Sequence, residues 1–282
     1  MPSSLTCGRY ILDLSAPRIM AILNVTPDSF SGDGCTTLDF ALRSAERMIS
    51  EGAEILDVGG ESSRPGALAI GLQEELDRVL PVIEALSSFG VPLSVDTVKP
   101  IVMREAIKVG ADLINDISAF QADGAVDAVV STNVALCVMH MRGRPETMQV
   151  EPVYDDIMSD VEEFLSDRVG VLLRAGVSPD RLILDPGFGF GKTVDHNLTL
   201  LRGLARFGVG GYPMLVGMSR KSMLGAITGR DVKNRAVAGA LTAMIALQNG
   251  AKIIRTHDVA ETRDAIRVWR ALEALGKDVC SE

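Results

Sequence analysis

The sequence predicts an α/β fold built as a single (β/α)8 TIM barrel, and three observations carry that expectation. Short apolar runs bounded by glycine or proline alternate with helical patterns, as successive βα units require. Eight such runs fall within 282 residues, a length that suits one closed barrel of ~250 residues, so residues 1–282 are expected to form one domain. A polar residue follows every run, which in a barrel would gather polar groups at one mouth. A doubly wound open sheet is the alternative, because a strand count does not establish closure.

The runs cover residues 19–23, 55–58, 93–95, 113–114, 135–139, 182–184, 214–216 and 252–254. They are apolar throughout rather than alternating, which predicts parallel strands buried on both faces. One phrase recurs as "EGAEILDVGG", "VGADLINDIS", "AGVSPDRLILDPG" and "NGAKIIRTHD", a helix end, a glycine, then a strand. Gly52, Gly110, Gly176 and Gly250 stand where a helix closes in the left-handed conformation. The clearest helix is "LQEELDRVLPVIEAL", with Leu72, Leu76, Val79, Leu80 and Ile83 on one stripe and a bend expected at Pro81. "AVAGALTAMIAL", Ala236 to Leu247, reads as a barrel helix with one face available to a twin subunit. The long connections over 26–37, 59–71 and 141–152 each follow a strand and would rise from the mouth as lids.

Composition narrows the function. A net charge of -9 argues against nucleic acid, whose phosphates require a basic face, yet leaves room for a small anion held by a few local cations. Cys7, Cys35, Cys137 and Cys280 lack the spacing of a zinc site or a disulfide framework and suit idle thiols in a reducing cytosol. The opening "MPSSLTCGRYILDLS" does not read as a signal peptide, and no run is long enough to span a membrane. A cytoplasmic protein is expected.

"LILDPGFGFGKT", Leu182 to Thr193, imitates a phosphate loop. The Walker pattern needs four residues between its first glycine and the Gly-Lys pair, and here Gly187 and Gly191 enclose three; the dinucleotide pattern GxGxxG fails by one position as well. A different task is expected for these glycines.

The residues at the strand ends are Asn24, the stretch Glu61 to Arg64, Asp96, Asn115-Asp116, His140, Asp185, Ser219 to Ser222, and Arg255 with His257. Each has an ordinary explanation alone. Asp96 or Thr97 could cap the helix beginning near Pro100, Asp185 could orient the Pro186-Gly187 turn, and His140 reads as a core histidine satisfied by a backbone carbonyl. Lys221 and Arg255 could be solvated surface charges. Together they divide by chemistry. Asp96, Asn115 and Asp185 offer acceptors that suit a flat N–C–N edge rich in N–H donors. Arg64, Lys221, Arg255 and His257 offer positive charge, and Ser222 adds a hydroxyl beside free helix N–H groups. The ligand so described is an amino-substituted heterocycle with anionic groups.

"ILNVTPDSFS", "DVGGESSRPGA", "SVDTVKP", "INDIS", "MHMRGRPETMQ", "LDPGFGFGK", "LVGMSRKSMLG" and "IIRTHDV", in this order, resemble the bacterial dihydropteroate synthases. The resemblance implies a homodimeric enzyme of folate synthesis, sensitive as a class to sulfonamides. There 4-aminobenzoate displaces diphosphate from (7,8-dihydropterin-6-yl)methyl diphosphate along an SN1-like path. It implies that Asp96, Asn115 and Asp185 hold the pterin, with Lys221 on its carbonyl side and Phe190 near the ring. It implies that Asn24 places Mg²⁺ on the diphosphate, that Arg64, Arg255 and His257 bind that leaving group, and that Ser63, Ser222, Phe30 and Pro65 hold the aminobenzoate. The family's usual Ser-Thr-Arg-Pro is here Ser62 to Pro65 with serine at 63, which keeps the hydroxyl and loses a methyl worth about 0.8 kcal/mol if buried. Ser31 to Gly34 departs from the Asp-Gly-Gly order common in the first loop. The alternatives are a non-catalytic pterin-binding paralogue and a pterin-dependent corrinoid methyltransferase, neither of which needs the full set of diphosphate cations.

Overall fold

The structure is a computed structural model that describes residues 4–26, 37–63 and 66–279. After a hairpin of β1 (Ser4–Cys7) and β2 (Tyr10–Asp13), the barrel strands are β3 (Arg18–Asn24), β4 (Ile55–Gly59), β5 (Leu93–Asp96), β6 (Leu113–Asp116), β7 (Ala135–Met139), β8 (Leu182–Asp185), β9 (Leu215–Val216) and β10 (Ile253–Thr256). The helices between and after them are α1 (Thr37–Glu51), α2 (Leu72–Leu86), α3 (Pro100–Lys108), α4 (Ala125–Val129), α5 (Ile157–Ala175), α6 (Val194–Arg202), α7 (Ser222–Thr228), α8 (Ala236–Gln248) and α9 (Val259–Val279).

All eight barrel strands are parallel neighbours in chain order, and β10 pairs with β3 to return the sheet to its start. A bridge between Leu184 and Met214 joins β8 to β9 and closes the ring. A doubly wound sheet would reverse its strand order at a switch point; the order here never does, so the barrel expectation holds and the open sheet is excluded. The polar residues expected just beyond several strands, among them Asn24, Asp96, Asn115, Asp185 and Arg255, belong to the strands themselves.

Strand parity explains what faces inward. Side chains alternate along a strand. Met20, Ile55, Leu113, Ala135, Ile183, Leu215 and Ile253 form an apolar layer inside the barrel's N-terminal end. The alternate set, including Leu56, Val58, Val95, Ile114, Val138, Leu184 and Ile254, packs outward in the larger core beneath the helices. Residues two positions beyond the inner apolar layer therefore also face the interior, and the polar ones among them are Asp57, Asn115, Asp185 and Arg255.

The hairpin was not anticipated. Leu5, Cys7 and Leu14 join the inner apolar layer, so the hairpin stoppers the barrel at its N-terminal end. It is tied down by Arg9, whose Nε and Nη2 donate to the two oxygens of buried Asp112 at 2.9 and 2.8 Å. Its strands are four residues each, too short to stand out from a loop by periodicity.

α2 differs in detail from the stripe expected for it. Its buried residues are Glu75, Val79, Val82, Ile83 and Leu86, while Leu72 is exposed and Leu76 and Leu80 are only partly covered. Leu72 opens the helix directly after Gly71, beyond the reach of the barrel, and its place on the buried face is taken by Glu75. The helix continues as one element through Pro81.

Leu5→Ala removes a side chain buried to 1% exposure from the stopper, and truncations of this kind cost about 2–5 kcal/mol. Urea denaturation is expected to show that loss with little change in the far-ultraviolet spectrum of the native state.

Candidate functional site

At the C-terminal mouth the strand ends and following loops enclose a cavity of ≈ 510 Å³. Asn24, Ser63, Asp96, Phe190, Lys221, Ser222, Arg255 and His257 line it. A second cavity of ≈ 700 Å³ adjoins it across a wall of Glu61, Ser62, Ser63 and Asp96. Asn115 and Asp185 are buried among the inward-facing groups rather than set on the cavity wall.

The centre of the arrangement is an ion network inside the barrel. Arg255 donates from Nε to Asp57 Oδ2 at 2.6 Å and from Nη2 to Asp96 Oδ2 at 2.7 Å. Asp57 also accepts from Asn115 Nδ2 at 3.2 Å and, through a very short bond, from Ser94 Oγ. A fully buried carboxylate survives only with such partners. Burial works to lower the Arg255 pKa, but Asp57 and Asp96 outweigh it and hold the guanidinium above its ordinary value. Burial holds Asp96 above the usual carboxylate range, against the pull of Arg255. Nη1 of Arg255 has no hydrogen-bond partner among the described residues.

Asp96 makes no cap for α3. The N-cap is Lys99, whose amide donates to Thr97 Oγ1 at 3.2 Å. Lys99 itself pairs with Glu61 and with buried Glu75 through short bonds. That pairing fixes Glu61 on the wall between the two cavities.

Asp185 ends β8 and accepts from the Gly187 amide at 2.7 Å through Oδ1. Its turn-orienting role is therefore real, and it spends one oxygen only. Burial raises the Asp185 pKa, opposed by the Gly187 amide and by the charges of Lys221 and Arg255. The glycines beyond it are required by close approach. A Cβ on Gly187 would stand 1.8 Å from the His140 carbonyl oxygen, and one on Gly191 would stand 2.3 Å from that of Arg142. Both also have positive φ, 71° and 62°, which side chains resist.

Lys221 is half-buried. Its Nζ donates to the Phe188 carbonyl at 2.6 Å and lies 4.0 Å from the centre of the Phe190 ring. Burial pushes its pKa down to about 7, against the attraction of Asp185. Lys221 also serves as the N-cap of α7, whose first residue is exposed Ser222. The preceding Arg220 adopts φ 57°, an uncommon left-handed conformation for a side chain of that size. It is held there by its ion pair with Asp258 and by Arg235 Nη1, which donates to the Arg220 carbonyl at 3.0 Å. Next to it, Ser219 Oγ lies 3.1 Å from His257 Nδ1 and accepts from the His257 amide at 3.1 Å.

The arrangement matches known proteins closely. The family described as pterin binding enzyme matches residues 20–257. The dihydropteroate synthase of Haemophilus influenzae is 52% identical, over 92% of this chain and 95% of its own length. The chain belongs to the dihydropteroate synthase family. The crystal structure of the Burkholderia cenocepacia dihydropteroate synthase complexed with 7,8-dihydropteroate superposes with a TM-score of 0.91 at 51% identity, covering 98% of this chain and 99% of that one. The Xanthomonas albilineans dihydropteroate synthase with 4-aminobenzoic acid gives 0.92 at 45%, covering 97% and 99%.

Of the site residues expected in this member of the synthase family, Asn24, Ser63, Asp96, Phe190, Lys221, Ser222, Arg255 and His257 meet at one cavity. Asn115 and Asp185 stand directly behind it. Arg64, Phe30 and Pro65 lie outside the described residues. Lys221 and Arg255 are not solvated surface charges. The sequence reading passed over Asp57, the carboxylate on which Arg255 turns. Its signal was a charged residue inside a strand otherwise buried on both faces, which demands a partner. It also passed over Glu75 and Lys99, the two partners that meet the Glu61 loop. His140 is a core histidine, as expected, but its ring meets Lys192 Nζ at 2.8 Å rather than a carbonyl. β7 and the glycine turn come together there, and the lysine reaches the imidazole first.

Burial, helped by the neighbouring Lys192, pushes the His140 pKa from 6.5 down to about 3. Above pH 6.5 folded and unfolded chains both carry a neutral imidazole. Below it the unfolded chain binds a proton that the folded one refuses, so this group subtracts stability as pH falls from 6.5 towards 3. Urea denaturation at pH 6.5 and 4.5 is expected to show wild type losing about 2 kcal/mol more than His140→Gln.

Proposed function

We propose that this chain joins 4-aminobenzoate to the methylene carbon of (7,8-dihydropterin-6-yl)methyl diphosphate, giving 7,8-dihydropteroate and diphosphate. The observation that carries the reading is the meeting of carboxylates and basic side chains at one mouth, Asp96 and, just behind it, Asp185 with Lys221, Arg255 and His257. The carboxylates and Asn115 suit the amino-substituted edge of the pterin. Phe190 and Lys221 suit its ring face and carbonyl side. Nη1 of Arg255, His257 and Arg64 suit the diphosphate. Ser63 and Ser222 offer hydroxyls to the aminobenzoate.

In the reaction the C–O bond to diphosphate breaks first, and the electron-rich reduced pterin carries the resulting methylene cation. The neutral arylamine then donates its lone pair to form the C–N bond, and the surplus proton passes from nitrogen to water or to the released diphosphate. The residues' main task is to stabilise charge on the departing oxygens. Asp57 and Asp96 hold the Arg255 plane for that purpose.

Mg²⁺ fits the donors available on one condition. No group of three or more His, Cys, Asp or Glu among the described residues could hold a metal, whereas Asn24, whose side chain carries an amide oxygen, lines the cavity. Mg²⁺ commonly takes few protein ligands and fills its shell with substrate phosphates and water. Asn24 would hold it with the diphosphate, where it would neutralise charge on the leaving group.

A homodimer is part of the same proposal. Val237, Leu241 and Ile245 are exposed along one face of α8, and Val268 and Leu272 along α9; an apolar stripe of that kind suits a twofold interface. Among the described residues Cys7 and Cys137 are buried free thiols, which suits a reducing cytoplasm; Cys35 and Cys280 lie outside them. No helix among the described residues is long and apolar enough to cross a membrane.

Purified protein given both substrates and Mg²⁺ is expected to release diphosphate in step with dihydropteroate, and chelation of Mg²⁺ to suppress it. Pterin binding without turnover would establish the non-catalytic alternative instead. Asp185→Asn and Lys221→Ala should each lower turnover by roughly 10²-fold; near-normal rates in both would refute their roles. Leu241→Glu is expected to convert a sedimenting dimer to monomer at micromolar concentration, and wild type sedimenting as monomer would refute the interface.

A further inference from the structure

The lysine of the false phosphate loop has no place in the chemistry above, yet it is among the most enclosed polar side chains of the described residues. Lys192 is 3% exposed. Its Nζ donates to the carbonyls of Gly187 at 2.9 Å, Phe190 at 3.0 Å and, more weakly, His140 at 3.4 Å, and it lies 2.8 Å from His140 Nδ1. The lysine of a phosphate loop points outward to its ligand, where backbone amides converge on the phosphates. Here the polarity is inverted. Carbonyls converge, and the lysine amine fills its own turn from within.

The rest of the turn is held in the same way. The Phe188 carbonyl accepts from Lys221, that of Gly189 from Gln149, and that of Gly191 from Tyr154 Oη at 2.8 Å. Every carbonyl from Gly187 to Gly191 thus takes a side-chain donor. Lys192 alone holds two of them, at both ends of the stretch that carries Phe188 and Phe190. A stretch with left-handed glycines at 187, 189 and 191 is intrinsically pliable, so its shape has to be imposed by these bonds.

We infer that Lys192 is a positioning residue for the pterin subsite: by fixing the Gly187 and Phe190 carbonyls from beneath, it sets where Phe190 presents its ring and where Lys221 finds the Phe188 carbonyl. The inference rests on the proposed pterin site and concerns one end of it. Arg255 and His257 are held by Asp57, Asp96 and Ser219, none of which touches Lys192. Loss of the clamp should therefore weaken recognition of the ring and spare recognition of diphosphate.

The test is calorimetric. Dissociation constants for 6-hydroxymethyl-7,8-dihydropterin and, separately, for inorganic diphosphate with Mg²⁺ are measured for wild type and Lys192→Met, well below each thermal midpoint. Lys192→Met is expected to lose tenfold or more in pterin affinity and to keep its diphosphate affinity within twofold. Unchanged pterin binding, or equal loss for both ligands, overturns the inference, since a merely structural lysine would not act on one end alone. If Lys192→Met does not fold, Lys192→Gln, which keeps two N–H donors, replaces it. It is expected to show an intermediate, pterin-selective loss, and wild-type binding or a uniform loss overturns the inference equally. Wild type is first tested for diphosphate release. Failure there with pterin binding intact counts against the synthase reading alone, whereas normal turnover with unaltered binding in the variant counts against the clamp alone.

Discussion

The site depends on a charge that the barrel cannot leave unpaired. Asp57 has no exposure to solvent, and it sits on β4 one inward-facing position above an apolar layer. Arg255, across β3 on β10, answers it and reaches on to Asp96 on β5. This one guanidinium therefore spans the barrel mouth and sets the spacing of strands on either side of β3. Breaking such a pair leaves an isolated ion in a low-dielectric interior, at a cost of several kcal/mol. The network is correspondingly rigid, and a ligand meets carboxylates and a guanidinium already oriented. Preorganisation of that kind is what electrostatic stabilisation of a leaving group requires.

Two kinds of support surround this centre. Below it the interior is dry, closed by Leu5, Cys7 and Leu14 of the hairpin region against the inner apolar layer. Above it the glycine turn and the Ser219 to Lys221 turn carry the groups that face a ligand, and both are held by side chains from distant parts of the chain. Tyr154 and Gln149 come from beyond β7, Asp258 from beyond β10, and Arg235 from the start of α8. The 141–152 connection, expected to act as a lid, also braces the turn. Its Met148 packs with Ile117, Met139 and Phe190, and the Pro145 carbonyl accepts from the Gly66 amide of the neighbouring loop at 3.1 Å.

The architecture was legible because runs apolar on both faces have few other uses in a soluble domain, and each barrel strand produced one. The site was legible where polarity interrupted those runs at their ends, as at Asp96, Asp185 and Arg255. Asp57 escaped because it lies within a run, where a reading by blocks of hydrophobicity averages it away; reading by parity would have placed it beside Asn115 and Arg255. Glu75 escaped for a similar reason, since a charged residue on a helix is assigned to the wet face unless its partner is known, and that partner, Lys99, lies on another loop. The His140 contact with Lys192 joins residues from two different loops, and no local pattern announces it. The hairpin carried too few residues to show a period.

The ring of strands is not closed with equal strength all the way round. β8 and β9 meet through the Leu184–Met214 bridge, with the Leu184 amide also donating to Pro213 at 3.0 Å, whereas β3 and β4 pair over five positions. Sheet edges with few ladder bonds open at lower free energy than the fold as a whole. The glycine turn begins at Asp185, immediately above that thin seam. Arg255 stands on β10, next to β9, whereas its partners Asp57 and Asp96 stand across the barrel on β4 and β5, so one guanidinium ties the strand beside the thin seam to the well-laddered side of the ring.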